Sequence, residues 1–163
     1  MGITFYNNST NLKIKNKIVL KKWLLSALAE YKTAKKINVN IAFCSDDEIL
    51  KINIDFLNHN YYTDILTFNL SEKTDVLDAD IFISYETVMY NSNKYSVSFN
   101  NEMCRVLIHG ILHLIGFNDK KPKEKKQMTA EENQKLDDLF HVKHIDFFTC
   151  VVSRETQNAR KQI

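Results

Sequence analysis

Apolar and polar positions change period several times along the chain, and each change marks an element. Residues 2–6 read as a short strand. Leu20, Leu24, Ala27, Leu28 and Tyr31 fall at helical spacing and predict an amphipathic helix over 16–32. Val39, Ile41 and Phe43 alternate with Asn38, Asn40 and Ala42, the pattern of a strand with one buried face. Ser45 and Glu48 have the spacing of a capping box, which opens a helix carrying Ile49, Ile52, Phe56 and Leu57 and ending near Asn58. Residues 58–64 are polar and aromatic and predict a loop. Residues 65–70 and 79–84 predict two strands joined as a hairpin with a long loop, and 85–96 a polar helix. The next helix, about 101–116 with Asn100 or Asn101 as its cap, is apolar nearly all round and belongs in the core. A last helix, about 125–140, has Met128, Leu136, Leu139 and Phe140 on its apolar side. The order β-α-β-α-β-β-α-α-α predicts an α+β fold: a small mixed sheet of about four strands packed with about five helices.

The 163 residues suit one domain, expected over 1–142. A polar C-terminal tail, 143–163, lacks periodicity past Val152 and is expected to be partly disordered. Within it His144 and, just before it, His141 form a close pair with no third ligand nearby, and both are read as exposed. A net charge of +2 is too small to imply nucleic-acid binding from bulk electrostatics, so any such affinity must come from local patches. The lysines at 15, 17, 21 and 22 crowd the start of the first helix and read as a solvated face. Three scattered cysteines (Cys44, Cys104, Cys150) argue against a disulfide framework and fit a reducing compartment. The N-terminus lacks a signal-peptide pattern and no stretch is long enough to span a membrane, so the expected location is cytoplasmic.

The candidate chemistry lies at the end of the apolar helix. His109 and His113 are four residues apart, which places both imidazoles on one helix face, one turn apart. Gly116 stands where a helix commonly ends, and the turn it allows would bring Asp119 back toward the pair. Two histidines and a carboxylate make a three-ligand site with an open position, the catalytic rather than the structural pattern for zinc. One Zn²⁺ per chain is expected. The same donors also form the facial triad of non-haem iron, so Fe²⁺ remains an alternative. The layout His-x3-His-x2-Gly-x2-ligand is shared with zinc proteases, but those carry Glu after the first histidine, and here it is Gly110.

The run His109-Gly-Ile-Leu-His113-Leu-Ile-Gly116-Phe resembles the signature of the YbeY family of bacterial metallo-endoribonucleases. The resemblance extends through Ile52-Asn53-x-x-Phe56, Thr63-Asp64-Ile65-Leu66-Thr67-Phe68 and Ala79-Asp80-Ile81-Phe82-Ile83-Ser84, covering roughly 45–139. Two positions depart from the usual pattern. Asp119 stands where most members have a third histidine, and Leu57 where a basic residue is common. The carboxylate keeps a ligand but removes one unit of positive charge, so the ion should acidify its water less. Leu57 puts in doubt any phosphate contact that the family makes at that point, for which His59 nearby is a candidate substitute.

The resemblance implies a small sheet with helices packed on it, and a metal at the mouth of a cleft. It implies cleavage of single-stranded RNA, in particular small-subunit rRNA during 3′-end maturation and ribosome quality control. Zinc in an open site acidifies water and polarises phosphoryl oxygens, either of which helps break a phosphodiester. No general base is named by the sequence; Asp64 and Asp80 are candidates because the resemblance covers their segments. Lys120, Lys121 and Lys123 belong to five lysines within residues 120–126, directly after the third ligand, and are candidates for RNA phosphate contacts. Tyr61 and Tyr62 could stack on bases or pack as ordinary half-buried tyrosines. Two other function classes stay open: a metallopeptidase, against which Gly110 speaks, and a non-catalytic RNA- or ribosome-binding module with a structural metal.

Overall fold

The computed structural model describes residues 2–7, 11–31, 34–141 and 145–150. Six strands and five helices alternate among them: β1 (Gly2–Asn7), β2 (Leu12–Ile14), α1 (Lys17–Glu30), β3 (Lys36–Cys44), α2 (Asp46–Leu57), β4 (Ile65–Asn69), β5 (Val76–Ser84), α3 (Tyr85–Lys94), α4 (Phe99–Leu114), α5 (Pro122–Phe140) and β6 (Phe148–Cys150). Four strands form a mixed sheet in the order β1-β3-β5-β4. The β1–β3 and β3–β5 pairs are parallel, while β4 runs antiparallel to β5 as the edge. The fold is α+β, as the element order predicts.

Side-chain alternation divides the sheet's two faces. Val39, Ile41, Phe43, Leu77, Ala79, Ile81 and Ile83 belong to the main core, together with Leu20, Leu24 and Leu28 of α1 and most of α4. The opposite face carries a smaller cluster of Cys44, Ile49 and Leu66, with Phe68 and Phe82 beside it. Asn40 and Asp80 sit on that second face, where Asn40 Nδ2 donates to Asp80 Oδ1 at 2.9 Å across the β3–β5 register.

Helix α4 lies against the main face because eleven of its sixteen residues are buried: only Asn101, Arg105, His109 and His113 lack full burial among residues 100–114. These four recur every four residues, so they form one row along the helix. Gly110, next to His109, faces the sheet. A Cβ there would lie 2.6 Å from Ile65 Cδ1 and 3.4 Å from Ile81 Cδ1. Glycine is therefore the residue that lets α4 approach β4 and β5 this closely.

Two local expectations are corrected. Ser98 caps α4, its Oγ accepting from Asn101 N–H at 3.0 Å. Asn100 is instead buried and pins the segment after α5: its Nδ2 donates to Ile145 O at 2.9 Å, and its Oδ1 accepts from Phe147 N–H at 2.7 Å and Phe148 N–H at 3.0 Å. That segment, expected as tail, belongs to the body of the fold. Phe147 and Phe148 are buried and β6 pairs antiparallel with β2. The boundary expected at 142 thus falls short of this strand. His144 and residues 151–163 lie outside the described residues; His141 is exposed.

Candidate metal centre

The turn after α4 builds the site. Gly116 adopts φ +100°, a conformation that favours glycine. Gly116 N–H donates to His113 O at 3.1 Å and Phe117 N–H to Leu112 O at 3.0 Å. This pair of bonds is a Schellman motif. It reverses the chain, brings Asp119 over the helix end, and aims Phe117 O back at α4. His113 Nδ1 lies 2.9 Å from that carbonyl. A carbonyl only accepts, so Nδ1 carries the proton and Nε2 of the neutral ring presents a lone pair.

His109 is set in the same way from the other side. Its Nδ1 lies 2.6 Å from Glu132 Oε1, on α5. Glu132 is buried, with 6% of its side chain exposed. Its other oxygen accepts from Arg105 Nη1 at 3.4 Å. Arg105 in turn forms a two-pronged pair with Glu102, at 3.0 Å from Nε and 2.6 Å from Nη2. Hydrogen bonding to Glu102 holds the guanidinium firmly protonated. The chain Glu102–Arg105–Glu132–His109 thus fixes the ring and leaves its Nε2 free to bind a cation. This is the carboxylate–histidine arrangement that orients metal ligands.

Three lone-pair atoms then converge. His109 Nε2 and His113 Nε2 are 3.0 Å apart, and Asp119 Oδ2 lies 3.6 Å from the first and 3.7 Å from the second. With both Nδ1 positions committed as donors, three acceptors face one another without a proton between them. A divalent cation relieves that arrangement. Donors about 2.0–2.1 Å from a tetrahedral zinc are about 3.3 Å apart, close to the triangle found here. His109, His113 and Asp119 are the group that could hold a metal ion among the described residues.

The triangle opens into a cleft of about 670 Å³. One wall is α4 with Asp119 and Lys120; the other comes from the end of α2, the following loop and β4, including Asn53, His59, Tyr61 and Asp64. Burial raises the Asp64 pKa, and the Arg105 guanidinium partly opposes this. Asp80 does not line this cleft; it is bound to Asn40 on the other face of the sheet. Of the three candidate lysines, Lys120 lines the cleft, Lys121 is the N-cap of α5 and Lys123 follows in its first turn. Tyr61 lines the cleft and Tyr62 does not, though both are exposed.

Sequence reasoning passed over Glu132 and Arg105. Both had a signal. Glu132 sits four residues from Met128 and four from Leu136, on the apolar stripe of α5, where an unpartnered carboxylate would be costly. Arg105 sits one turn before His109 on a helix otherwise apolar.

The family model for endoribonuclease YbeY matches residues 3–140. The chain belongs to the YbeY family. A relative named endoribonuclease YbeY from Azobacteroides pseudotrichonymphae is 44% identical over 124 residues, covering 76% of this chain and 88% of its own. One of the same name from Bacteroides fragilis is 41% identical over 137 residues, covering 83% and 96%. A Thermotoga maritima protein solved in solution has a similar fold, with a TM-score of 0.55 and 26% identity over 85% of this chain and 89% of that one. Family membership and the His-His-Asp triangle agree with the resemblance read from the sequence. Among the described residues no helix is long and apolar enough to cross a membrane.

Proposed function

We propose that the chain is a metal-dependent endoribonuclease that cuts single-stranded RNA, with His109, His113 and Asp119 holding one zinc ion. The observation that carries this reading is the convergence of three lone-pair donors, two with their tautomers fixed by Phe117 O and Glu132, in the lining of a cleft. Membership of a family whose curated relatives are named endoribonucleases supplies the reaction class. Small-subunit rRNA, at its 3′ end and in ribosome quality control, is the proposed substrate, and the cytoplasm the proposed location. Both rest on the resemblance. Iron(II) suits the same donors, and elemental analysis decides between the metals.

When bound, the metal supplies Lewis acidity for the phosphodiester. The protein's own groups do the rest. Glu132 and Phe117 O keep both imidazoles oriented, so the donors need no rearrangement. Lys120, at the rim, offers a cation to the RNA backbone. Asp64 is the proposed proton-transfer group: it lines the cleft, and burial raises its pKa, so its carboxyl can hold a proton at a higher pH than an exposed one. Asp80, remote from the cleft lining, has no part in this scheme.

The metallopeptidase reading loses its base. Position 110 is glycine, which has no side chain to take a proton, and it packs against the side chains of Ile65 and Ile81. The test is cleavage of a labelled single-stranded RNA by the metal-loaded protein, after chelation, and after zinc is restored. Cleavage lost and regained is the expected result. Undiminished cleavage after complete metal removal would refute the proposal, and proteolysis without RNA cleavage would favour the peptidase.

A further inference from the structure

We propose that His59 and Tyr61 form a stacking platform for one unpaired nucleobase of the RNA, in the cleft that the proposed metal ligands also line. This deepens the endoribonuclease reading and rests on it. The two rings stack at a centroid distance of 5.2 Å with 22° between their planes. Tyr61 Oη and His59 Nδ1 are 3.1 Å apart, which ties the rings together. Both residues line the cleft, yet Tyr61 remains 57% exposed. An aromatic pair ordered in this way offers a flat surface with little left to immobilise on binding.

The loop that presents the pair is held by a buried amide. Asn58 leaves α2 in the left-handed conformation, at φ 55°. Asn53, 1% exposed, donates from Nδ2 to Tyr61 O at 2.9 Å, and its backbone O accepts from His59 N–H at 3.2 Å. Asn53 Oδ1 has no hydrogen-bond partner among the described residues, although it is buried. A buried amide left half satisfied is a cost, accepted here to fix where the loop stands.

The cleft is also divided by charge. Lys120 and the metal ligands stand on one side, and among the described lining residues the α2–β4 side contributes no lysine or arginine. The first side suits phosphate. The second side suits a base, which carries no charge and has a π-face. Tyr62 provides the contrast: it is 56% exposed but does not line the cleft.

The test is a binding cycle with the metal-loaded full chain and a cleavage-resistant 2′-O-methyl single strand of about eight residues, a length within the usual site size. A matched set lacks the base at each position in turn. Tyr61→Ala is expected to weaken binding of the complete strand about tenfold, the scale of one lost base stack, while leaving binding of one abasic strand unchanged. Tyr61→Phe should retain most of the affinity, and Tyr62→Ala all of it. Lys120→Ala should weaken every strand alike. Tyr61→Ala weakening all strands equally, or none, would overturn the platform while leaving the nuclease reading intact, provided that the wild-type protein still cuts RNA. No binding of any strand, with no RNA cleavage, would overturn both.

Discussion

The two walls of the cleft are built by opposite means. Behind the α4 wall a chain of polar contacts runs to α5: Glu102 holds Arg105, Arg105 bonds Glu132, and Glu132 orients His109. The participants are spaced by helix turns and half or fully buried, so the geometry is set before any ligand arrives. On the α2–β4 wall, exposed rings stand on a loop held mainly by the side chain and backbone of Asn53. The difference teaches where precision is needed. Metal ligands must be placed within fractions of an ångström. A stacking surface tolerates sliding, because any base offers a π-face.

The largest effect is expected from loosening the rigid wall without touching a proposed ligand. Glu132→Ala removes the acceptor of His109 Nδ1 and leaves Arg105 with one carboxylate. Zinc affinity should fall about 10–100-fold, as for other outer-shell partners. Glu132→Gln, which keeps an acceptor of the same shape, should recover much of it. Calorimetric titration of zinc into the metal-stripped variants reads both. Equal affinity in Glu132→Ala and wild type would show that the network is merely structural.

Packing beneath that wall comes next. Gly110→Ala places a methyl group 2.6 Å from Ile65 Cδ1; overpacking of about 1–3 kcal/mol is offset by the roughly 1 kcal/mol that alanine gains over glycine in a helix, for a net cost of about 1 kcal/mol. Thermal unfolding should show a Tm lower by several degrees. An unchanged Tm would mean that β4 gives way freely at this edge.

Asp64 is the titratable carboxyl of the α2–β4 wall. Burial raises its folded-state pKa, against the opposing charge of Arg105. A carboxyl with a raised folded pKa binds its proton more tightly when folded. It therefore lowers stability as pH rises from its ordinary value through the raised one, and the loss persists at neutral pH. Asp64→Asn should raise the Tm of the metal-free protein at neutral pH, have little effect at a pH well below the ordinary carboxylate range, and slow RNA cleavage. The same Tm change at both pH values would contradict the assignment. Smallest of all, Lys120→Ala should weaken RNA binding two- to threefold and reduce the salt dependence by about one counterion. A large loss confined to one RNA sequence would instead point to base reading by this lysine.

How legible each wall was in the sequence follows from the same contrast. The histidine pair, Gly116 and Asp119 could be read because a helix turn and a glycine stop are local rules. The sheet, its hairpin and the capping box of α2 were legible for similar reasons. Glu132 joins the site across 23 residues, and only its place on an apolar stripe hinted at it. β2 and β6 are three residues each and find one another across the chain. So short a strand has no period of its own, which is why residues 145–150 read as tail. The role of Asn100 escaped for the same reason: as a helix cap it needs only its neighbours, whereas its real partners lie 45–48 residues away.

The most direct test of the central claim is to strip the protein of metal and return zinc in sub-stoichiometric steps, following single-stranded RNA cleavage at each step beside a His113→Ala variant. The account predicts that activity rises in proportion to zinc, saturates at one ion per chain, and stays at least about a hundredfold lower in the variant. Cleavage that persists in the stripped protein, or that zinc restores equally in His113→Ala, would contradict it.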